Sequence, residues 1–85
     1  MYYTLKTMKK IVVQVAWSDN YYGGWGDPDH GAIFCAGKDL ETFKKEFKEA
    51  LQFHIEGLVE AGTAPDWMVE EDYEVEYTLH VPAVL

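Results

Sequence analysis

The sequence predicts an α+β fold, a two-layer sandwich in which one long helix packs on one face of an antiparallel sheet with the order β-β-β-α-β. Apolar residues recur at steps of three and four within residues 37–62, which is the period of one helix face. Residues 73–81 instead alternate apolar and polar side chains, as a strand with one buried face does. Because 85 residues form one small domain, these apolar faces must cover each other.

The first strand is predicted at residues 11–17, where β-branched residues are concentrated. Residues 1–7 show little pattern and are interpreted as an N-terminal extension, so the domain runs from residue 8 to residue 85. Alternation along the strand places four apolar side chains on one face: Ile11, Val13, Val15 and Trp17. The Ser-Asp-Asn sequence at residues 18–20 has turn chemistry, so a second strand is expected to follow.

The second and third strands are predicted to be short. Tyr21 and Tyr22 start the second, but the glycines on both sides of Trp25 weaken it and indicate a bulge or a close backbone approach. Residues 27–31 read as a loop, and residues 32–36 as a brief third strand that ends at Gly37. A hairpin therefore precedes the helix.

The helix is predicted to be the only one in the chain, with Asp39 as its N-cap and Gly62 as the left-handed residue that ends it. Pro65 prevents its continuation, and residues 63–66 are interpreted as a connector. Its apolar stripe comprises Leu40, Phe43, Phe47, Ala50, Leu51, His54, Ile55 and Leu58.

The charge of the chain bears on its partners. Fifteen acidic residues against seven lysines and no arginine give a net charge of −8, which argues against direct binding of nucleic acid. Six carboxylates and no lysine follow Pro65: Asp66, Glu70, Glu71, Asp72, Glu74 and Glu76. This region is either a solvated acidic surface or a patch that meets a basic protein.

Composition also indicates a compartment. The single cysteine, Cys35, excludes an internal disulfide and fits a reducing cytoplasm. No apolar run has the roughly 18 residues of a membrane span, and the N-terminus lacks the order of a signal peptide. A domain this small buries only about 60% of its unfolded surface, so a homo-oligomer is expected.

Residue types that carry chemistry are sparse, and no catalytic residue, metal site or cofactor is predicted. The loop residues Asp27, Asp29 and His30 suit turn formation better than metal binding, because no second histidine lies at ligand spacing. His54 is expected to be partly buried with a backbone or tyrosine partner, and Cys35 to be an inert thiol. The glycines near Trp25 fit no phosphate loop, so the protein is predicted not to be an enzyme.

Several segments of residues 8–85 resemble the N-terminal domain of the HicB antitoxin family, found in bacterial type II toxin–antitoxin pairs. They are Trp-Ser-Asp-Asn-Tyr-Tyr at 17–22, Gly-Lys-Asp-Leu-Glu at 37–41 and Ala-Leu-Gln-Phe-His-Ile-Glu-Gly-Leu at 50–58. Pro-Asp-Trp at 65–67 and Tyr-Glu-Val-Glu-Tyr at 73–77 look like the post-helix segment of the Bacteroidetes-type members. The sequence departs from the family at 23–27, where Gly-Gly-Trp-Gly-Asp replaces a commoner proline-rich loop.

This resemblance implies a partial RNase H-like fold without catalysis, which binds and masks a small basic HicA-like toxin that cleaves mRNA. It also implies a C-terminal DNA-binding domain for autorepression, which is expected after Leu85 and absent from this chain, so that DNA would be bound only through that part. Together with the charge pattern, it points to six partner-binding residues: Trp25, Asp66, Trp67, Glu70, Glu71 and Asp72.

Two alternatives stay open at this point. The first is a metal-dependent nuclease on an RNase H-like sheet, which uses carboxylates such as Asp19 with Glu74 or Glu76. A two-metal site requires these residues and a helix carboxylate to lie within about 4 to 6 Å of one point. The second is a small-ligand binding module, whose pocket of a few hundred cubic ångströms would be lined by Trp17, Trp25 and Trp67.

Overall fold

A computed structural model describes residues 8–28 and 31–80 and shows an α+β fold, in which one long helix packs on a four-stranded sheet. The predicted two-layer architecture is confirmed. In chain order the elements are β1 (Lys9–Ser18), β2 (Tyr21–Gly26), β3 (Ile33–Gly37), α1 (Leu40–Ala61), α2 (Asp66–Val69) and β4 (Tyr73–His80). The predicted strand residue Val81 and the predicted extension, residues 1–7, lie outside the described residues.

The sheet is mixed, with the strand order β3-β2-β1-β4. Strands β1, β2 and β3 form antiparallel pairs, whereas β4 pairs parallel to β1, with Ile11 opposite Val75 and Val15 opposite Leu79. The prediction of a wholly antiparallel sheet was therefore wrong for β4. The cause is the helix between β3 and β4. It returns the chain to the end of the sheet at which β3 begins, so β4 runs in the direction of β3 and of β1.

The core lies between α1 and the face of the sheet that it covers. Ile11, Val13 and Val15 are fully buried there, as their alternation along β1 predicted. Phe43 and Phe47 of α1 are also fully buried, and Leu51 is nearly so. The predicted phase of the helix stripe is therefore correct.

Both ends of α1 have the predicted caps. The Asp39 carboxylate accepts a hydrogen bond from the backbone N–H of Thr42 at 2.7 Å, and this bond holds the pKa of Asp39 below its ordinary value. Gly62 has φ 75°, a left-handed conformation, and its N–H donates to the carbonyl oxygens of Leu58 and Val59. Neither described helix has the length and hydropathy that a membrane span requires.

Strand β2 continues through its glycines and reaches Gly26, further than predicted. The reason is a close backbone approach. A Cβ atom on Gly24 would lie 2.1 Å from the carbonyl oxygen of Gln14, and one on Gly26 would lie 3.0 Å from the Phe47 ring. Glycine at these positions lets β2 pair with β1 while the α1 aromatics lie directly over it.

A second helix, α2, begins at Asp66, the last residue of the predicted connector, so α1 is not the only helix. It has four residues, which is too few for a 3.6-residue period to be visible in a sequence. Met68 projects from α2 and is only 1% exposed. This short helix therefore contributes one buried apolar side chain.

Candidate protein-interaction surfaces

The face of the sheet opposite α1 is uncovered in the described structure and carries large apolar side chains. Trp25 lies directly opposite Phe34 on β3 and opposite Gln14 on β1. Since Gln14 lies between the buried residues Val13 and Val15, this row of side chains points away from the helix. Phe34 is 76% exposed, Trp25 45% and Val12 40%. We call Val12, Trp25 and Phe34, with the neighbouring carboxylates Glu74 and Glu76, the open face.

The open face is negatively charged at its β4 side. Glu74 and Glu76 lie next to Lys10 and Val12 of β1, and the Lys10 ammonium is 3.9 Å from the first carboxylate and 3.6 Å from the second. All three side chains are more than half exposed, so these ion pairs contribute little to stability. Two carboxylates share one lysine, which leaves the border of the aromatic patch negative.

A second acidic surface lies in α2 and the turn after it. We call Asp66, Glu70, Glu71 and Asp72 the acidic turn. Backbone hydrogen bonds fix its position: the N–H of Asp72 donates to the carbonyl of Trp67 at 2.9 Å, and the N–H of Lys9 donates to the carbonyl of Asp72 at 3.1 Å. The acidic turn is therefore held against the beginning of β1 and does not project as a free loop.

Trp67 stabilises the acidic turn from the helix side of the sheet. Its ring packs edge-on against Tyr73, with 6.0 Å between ring centroids, and the Lys9 ammonium lies 5.3 Å from the Trp67 ring. Trp67 also packs against the buried core and is only partly exposed. These contacts give it a structural role.

The six predicted partner-binding residues consequently form two groups on different sides of the molecule. Trp25 lies on the open face, whereas Asp66, Trp67, Glu70, Glu71 and Asp72 lie at the end of the sheet with Trp67 on the helix side. One flat contact with Trp25 and Trp67 together is therefore impossible. The carboxylates of β4, Glu74 and Glu76, connect the two groups.

Phe34 and Val12 are open-face residues that the sequence interpretation missed. In the structure Ile33 and Gly37 are buried and burial alternates between them, which places Phe34 on the opposite face. Phe34 was passed over because a five-residue strand gives too few alternations to assign its faces without its partner strand.

A groove of about 630 Å³ runs between α1 and β4. Leu51, Val75 and Tyr77 contribute its apolar lining, and three lysines of the helix, Lys44, Lys45 and Lys48, also line it. The Lys44 ammonium lies 5.0 Å from the centroid of the Tyr77 ring. The groove exists because α1 packs mainly over β3 and leaves the helix side of β4 partly uncovered.

Cys35 and His54 are the described side chains that were weighed for reactivity. Burial, and then the charge of Glu46, raise the pKa of the Cys35 thiol, which agrees with the expectation of an inert thiol. The Nε2 atom of His54 is buried and has no hydrogen-bond partner among the described residues, so the expected backbone or tyrosine partner is not found there. Of the loop residues that were weighed as metal ligands, Asp27 is exposed, and Asp29 and His30 lie outside the described residues.

The residues of the nuclease alternative do not come together. Asp19 lies in the turn after β1, while Glu76 is opposite Val12 and Glu74 is opposite Lys10 near the other end of that strand. At about 3.3 Å per residue, Asp19 is roughly 20 Å or more from both carboxylates. Within residues 8–28 and 31–80, no group of three His, Cys, Asp or Glu side chains has a geometry suited to a metal ion.

The tryptophans of the ligand-binding alternative are also separated. Trp17 packs on Tyr22 with 4.6 Å between ring centroids, Trp25 lies on the open face, and Trp67 lies against Tyr73. The groove of about 630 Å³ and a smaller one of about 310 Å³ are lined by residues of α1, α2 and β4 and the turn before β4, without a tryptophan.

The chain was compared with protein-family models, with curated proteins and with solved structures. No family model matches it, and neither a curated protein nor a solved structure matches at a significant level.

Proposed function

We propose that this domain is the toxin-binding part of an antitoxin from a bacterial type II toxin–antitoxin pair. In this proposal it binds a small, basic, mRNA-cleaving HicA-like toxin and masks the toxin's active site. The domain acts in the cytoplasm, and DNA autorepression belongs to a C-terminal domain outside this chain. The sequence segments that resemble the HicB family support the proposal, and so does the net charge of −8.

The observation that carries the proposal is the pair of exposed aromatic side chains on the open face, which also carries two carboxylates that share one lysine. Trp25 and Phe34 are directly opposite each other on neighbouring strands, and neither described helix covers them. Exposed apolar patches bordered by polar residues are typical of binding sites, and tryptophan is enriched among the residues that dominate binding energy. An aromatic patch beside Glu74 and Glu76 suits a partner that is both cationic and partly apolar.

The acidic turn supports the same class of partner through its electrostatic field. Its like charges repel one another in the free protein, and a cationic surface relieves that repulsion. Attraction over distance chiefly raises the rate of association and weakens as salt screens it. In this scheme the open face supplies the contact that holds the complex together, and the acidic turn steers the toxin toward it.

The steering role is testable by charge reversal. The triple variant Glu70→Lys, Glu71→Lys and Asp72→Lys should bind a HicA-like toxin at least about tenfold more slowly at low salt, because it inverts the field of the acidic turn. The matched control reverses three carboxylates of α1 that do not line the groove between α1 and β4: Glu46, Glu49 and Glu60. Stopped-flow or surface-based kinetics, with thermal melting of each variant, provide the comparison.

The two triple variants change the net charge equally, so a shared slowing would show a general charge effect without a docking patch. Trp25→Ala tests the open face separately. Removal of this aromatic side chain should raise the rate at which the toxin dissociates by about tenfold or more. If the acidic-turn variant binds at an unchanged rate while Trp25→Ala abolishes binding, the acidic turn is only a solvated surface and the open face is the whole interface.

A further inference from the structure

Strand β4 forms one edge of the sheet in the described structure, and no described strand pairs with its outer side. Glu74 and Glu76 are the carboxylates on this edge. The strand has eight residues, Tyr-Glu-Val-Glu-Tyr-Thr-Leu-His, without a proline or a glycine and without a lysine. Natural proteins usually blunt such an edge, because its unpaired N–H and C=O groups form a template for another strand. The opposite edge, β3, has only five residues.

We propose that β4 pairs antiparallel with β4 of a second copy of this chain, with Tyr77 of the two copies opposite each other. The two four-stranded sheets would then form one continuous eight-stranded sheet around a twofold axis. This inference concerns the strand edge and does not depend on the toxin-binding proposal, which concerns the open face and the acidic turn.

The charge pattern and the length of β4 together select this register. Directly opposite residues must belong to the same face of the sheet, so only every second register is permitted. With Tyr77 opposite itself, Glu74 faces His80, Glu76 faces Thr78, and Val75 faces Leu79. Every residue from 74 to 80 has a partner, and no like charges are opposed.

The neighbouring registers are worse for identifiable reasons. A shift that centres the pair on Glu76 puts that carboxylate opposite its own copy, and a shift to Val75 puts Glu74 opposite Glu76. A shift that centres the pair on Thr78 avoids like charges but pairs only residues 76–80 within β4. The register about Tyr77 is the one that combines the longest pairing with charge compatibility.

The position of α1 leaves room for the second strand. The helix packs mainly over β3, which is the opposite edge of the sheet from β4. Phe43 and Phe47 reach Tyr77 of β4, but a groove of about 630 Å³ remains between the helix and β4. Val75 and Tyr77 are half-buried under this groove, and Leu79 is 45% exposed. Pairing would bring Val75 of each copy beside Leu79 of the other and would cover apolar surface that α1 leaves open.

Long-range charge opposes this dimer. Each copy carries −8, so the two copies repel each other, and added salt should strengthen self-association by screening that repulsion. Binding of a basic toxin has the opposite salt dependence. The two proposals can therefore fail independently, and the salt dependence of each complex shows which has failed.

Charge variants at Thr78 test the register in the intact chain. Thr78→Glu puts a carboxylate opposite Glu76 twice in the dimer, whereas Thr78→Lys puts an ammonium there and serves as the matched control. Sedimentation equilibrium should show a dimer dissociation constant at least about tenfold higher for Thr78→Glu, and no higher for Thr78→Lys, relative to the unmodified chain. Thermal melting of both variants verifies that they are folded.

Disulfide trapping provides the second measurement, in a Cys35→Ser background so that no native thiol interferes. A mixture of Glu76→Cys chains with Thr78→Cys chains should form a covalent dimer on air oxidation, because these positions face each other. Trapping of Glu76→Cys chains alone would overturn the register. A chain that stays monomeric at about 1 mM and high salt would overturn the dimer itself.

Discussion

Phe47→Ala should lower the free energy of unfolding by roughly 3 to 5 kcal/mol, a large part of the total stability of so small a domain. Phe47 is fully buried, its ring lies over Gly26, and it packs edge-on against Tyr77 with 6.3 Å between centroids. Truncation removes the apolar area and leaves a cavity between α1 and the sheet. Urea denaturation followed by circular dichroism measures the loss.

Phe53→Ala is the matched control, because it is the same substitution in the same helix at a side chain that is 78% exposed. It should change the free energy of unfolding by less than about 0.5 kcal/mol. A loss below about 1 kcal/mol for Phe47→Ala, or equal losses for the two variants, would mean that the phase of α1 is wrong.

Gly24→Ala should destabilise the protein by about 3 kcal/mol or more, at or above the upper end of the usual cost of overpacking. The added Cβ would lie 2.1 Å from the carbonyl oxygen of Gln14 and 3.0 Å from the Cα of Val15. Both contacts are with backbone of the neighbouring strand, so no side-chain rotation relieves them. The pairing of β1 with β2 must open, and chemical denaturation should show the loss.

Gly57→Ala is the control for this prediction and should have the opposite sign. Gly57 lies within α1, and a Cβ atom there would meet nothing within 4 Å. Alanine is favoured over glycine in a helix by roughly 0.5 to 1 kcal/mol, so this variant should be more stable than the parent. Destabilisation by Gly57→Ala, or a stable Gly24→Ala, would contradict the packing described for these positions.

The features that the sequence predicted correctly are those with local physical signals. The helix stripe from Phe43 to Leu51 needs only the 3.6-residue period, and the caps need only Asp39 and Gly62 at its ends. The alternation of residues 73–80 likewise fixes the faces of β4 without reference to its neighbours.

The features that the sequence did not predict depend on pairing between distant segments. The direction of β4 depends on the end of the sheet at which the chain returns after α1. The alternation of side chains along β4 carries no information about that direction. The extent of β2 depends on the approach of Gln14 and Phe47 to its glycines, which appears only when the sheet and helix are assembled.

The residues of the candidate interaction surfaces also divide into those that local sequence features predict and those that depend on the assembled fold. Composition was sufficient to identify the acidic stretch, and Trp25 was named as a partner-binding residue within the glycine-rich segment that departs from the family pattern. That Trp25 joins Phe34 on one face, while Trp67 packs on the other side of the sheet, follows from strand register. The groove between α1 and β4 exists because α1 packs mainly over β3. No residue pattern within a single segment predicts where a helix lies across a sheet.

The most direct test of the central claim is inhibition of RNA cleavage. A HicA-like toxin is incubated with an mRNA substrate at about 150 mM salt while this 85-residue chain is titrated in. The proposal predicts that cleavage stops near a one-to-one ratio of chain to toxin, and that Trp25→Ala shifts the titration to about tenfold higher concentration or more. Full cleavage at an excess of about tenfold, from a folded chain, would contradict the proposed antitoxin function.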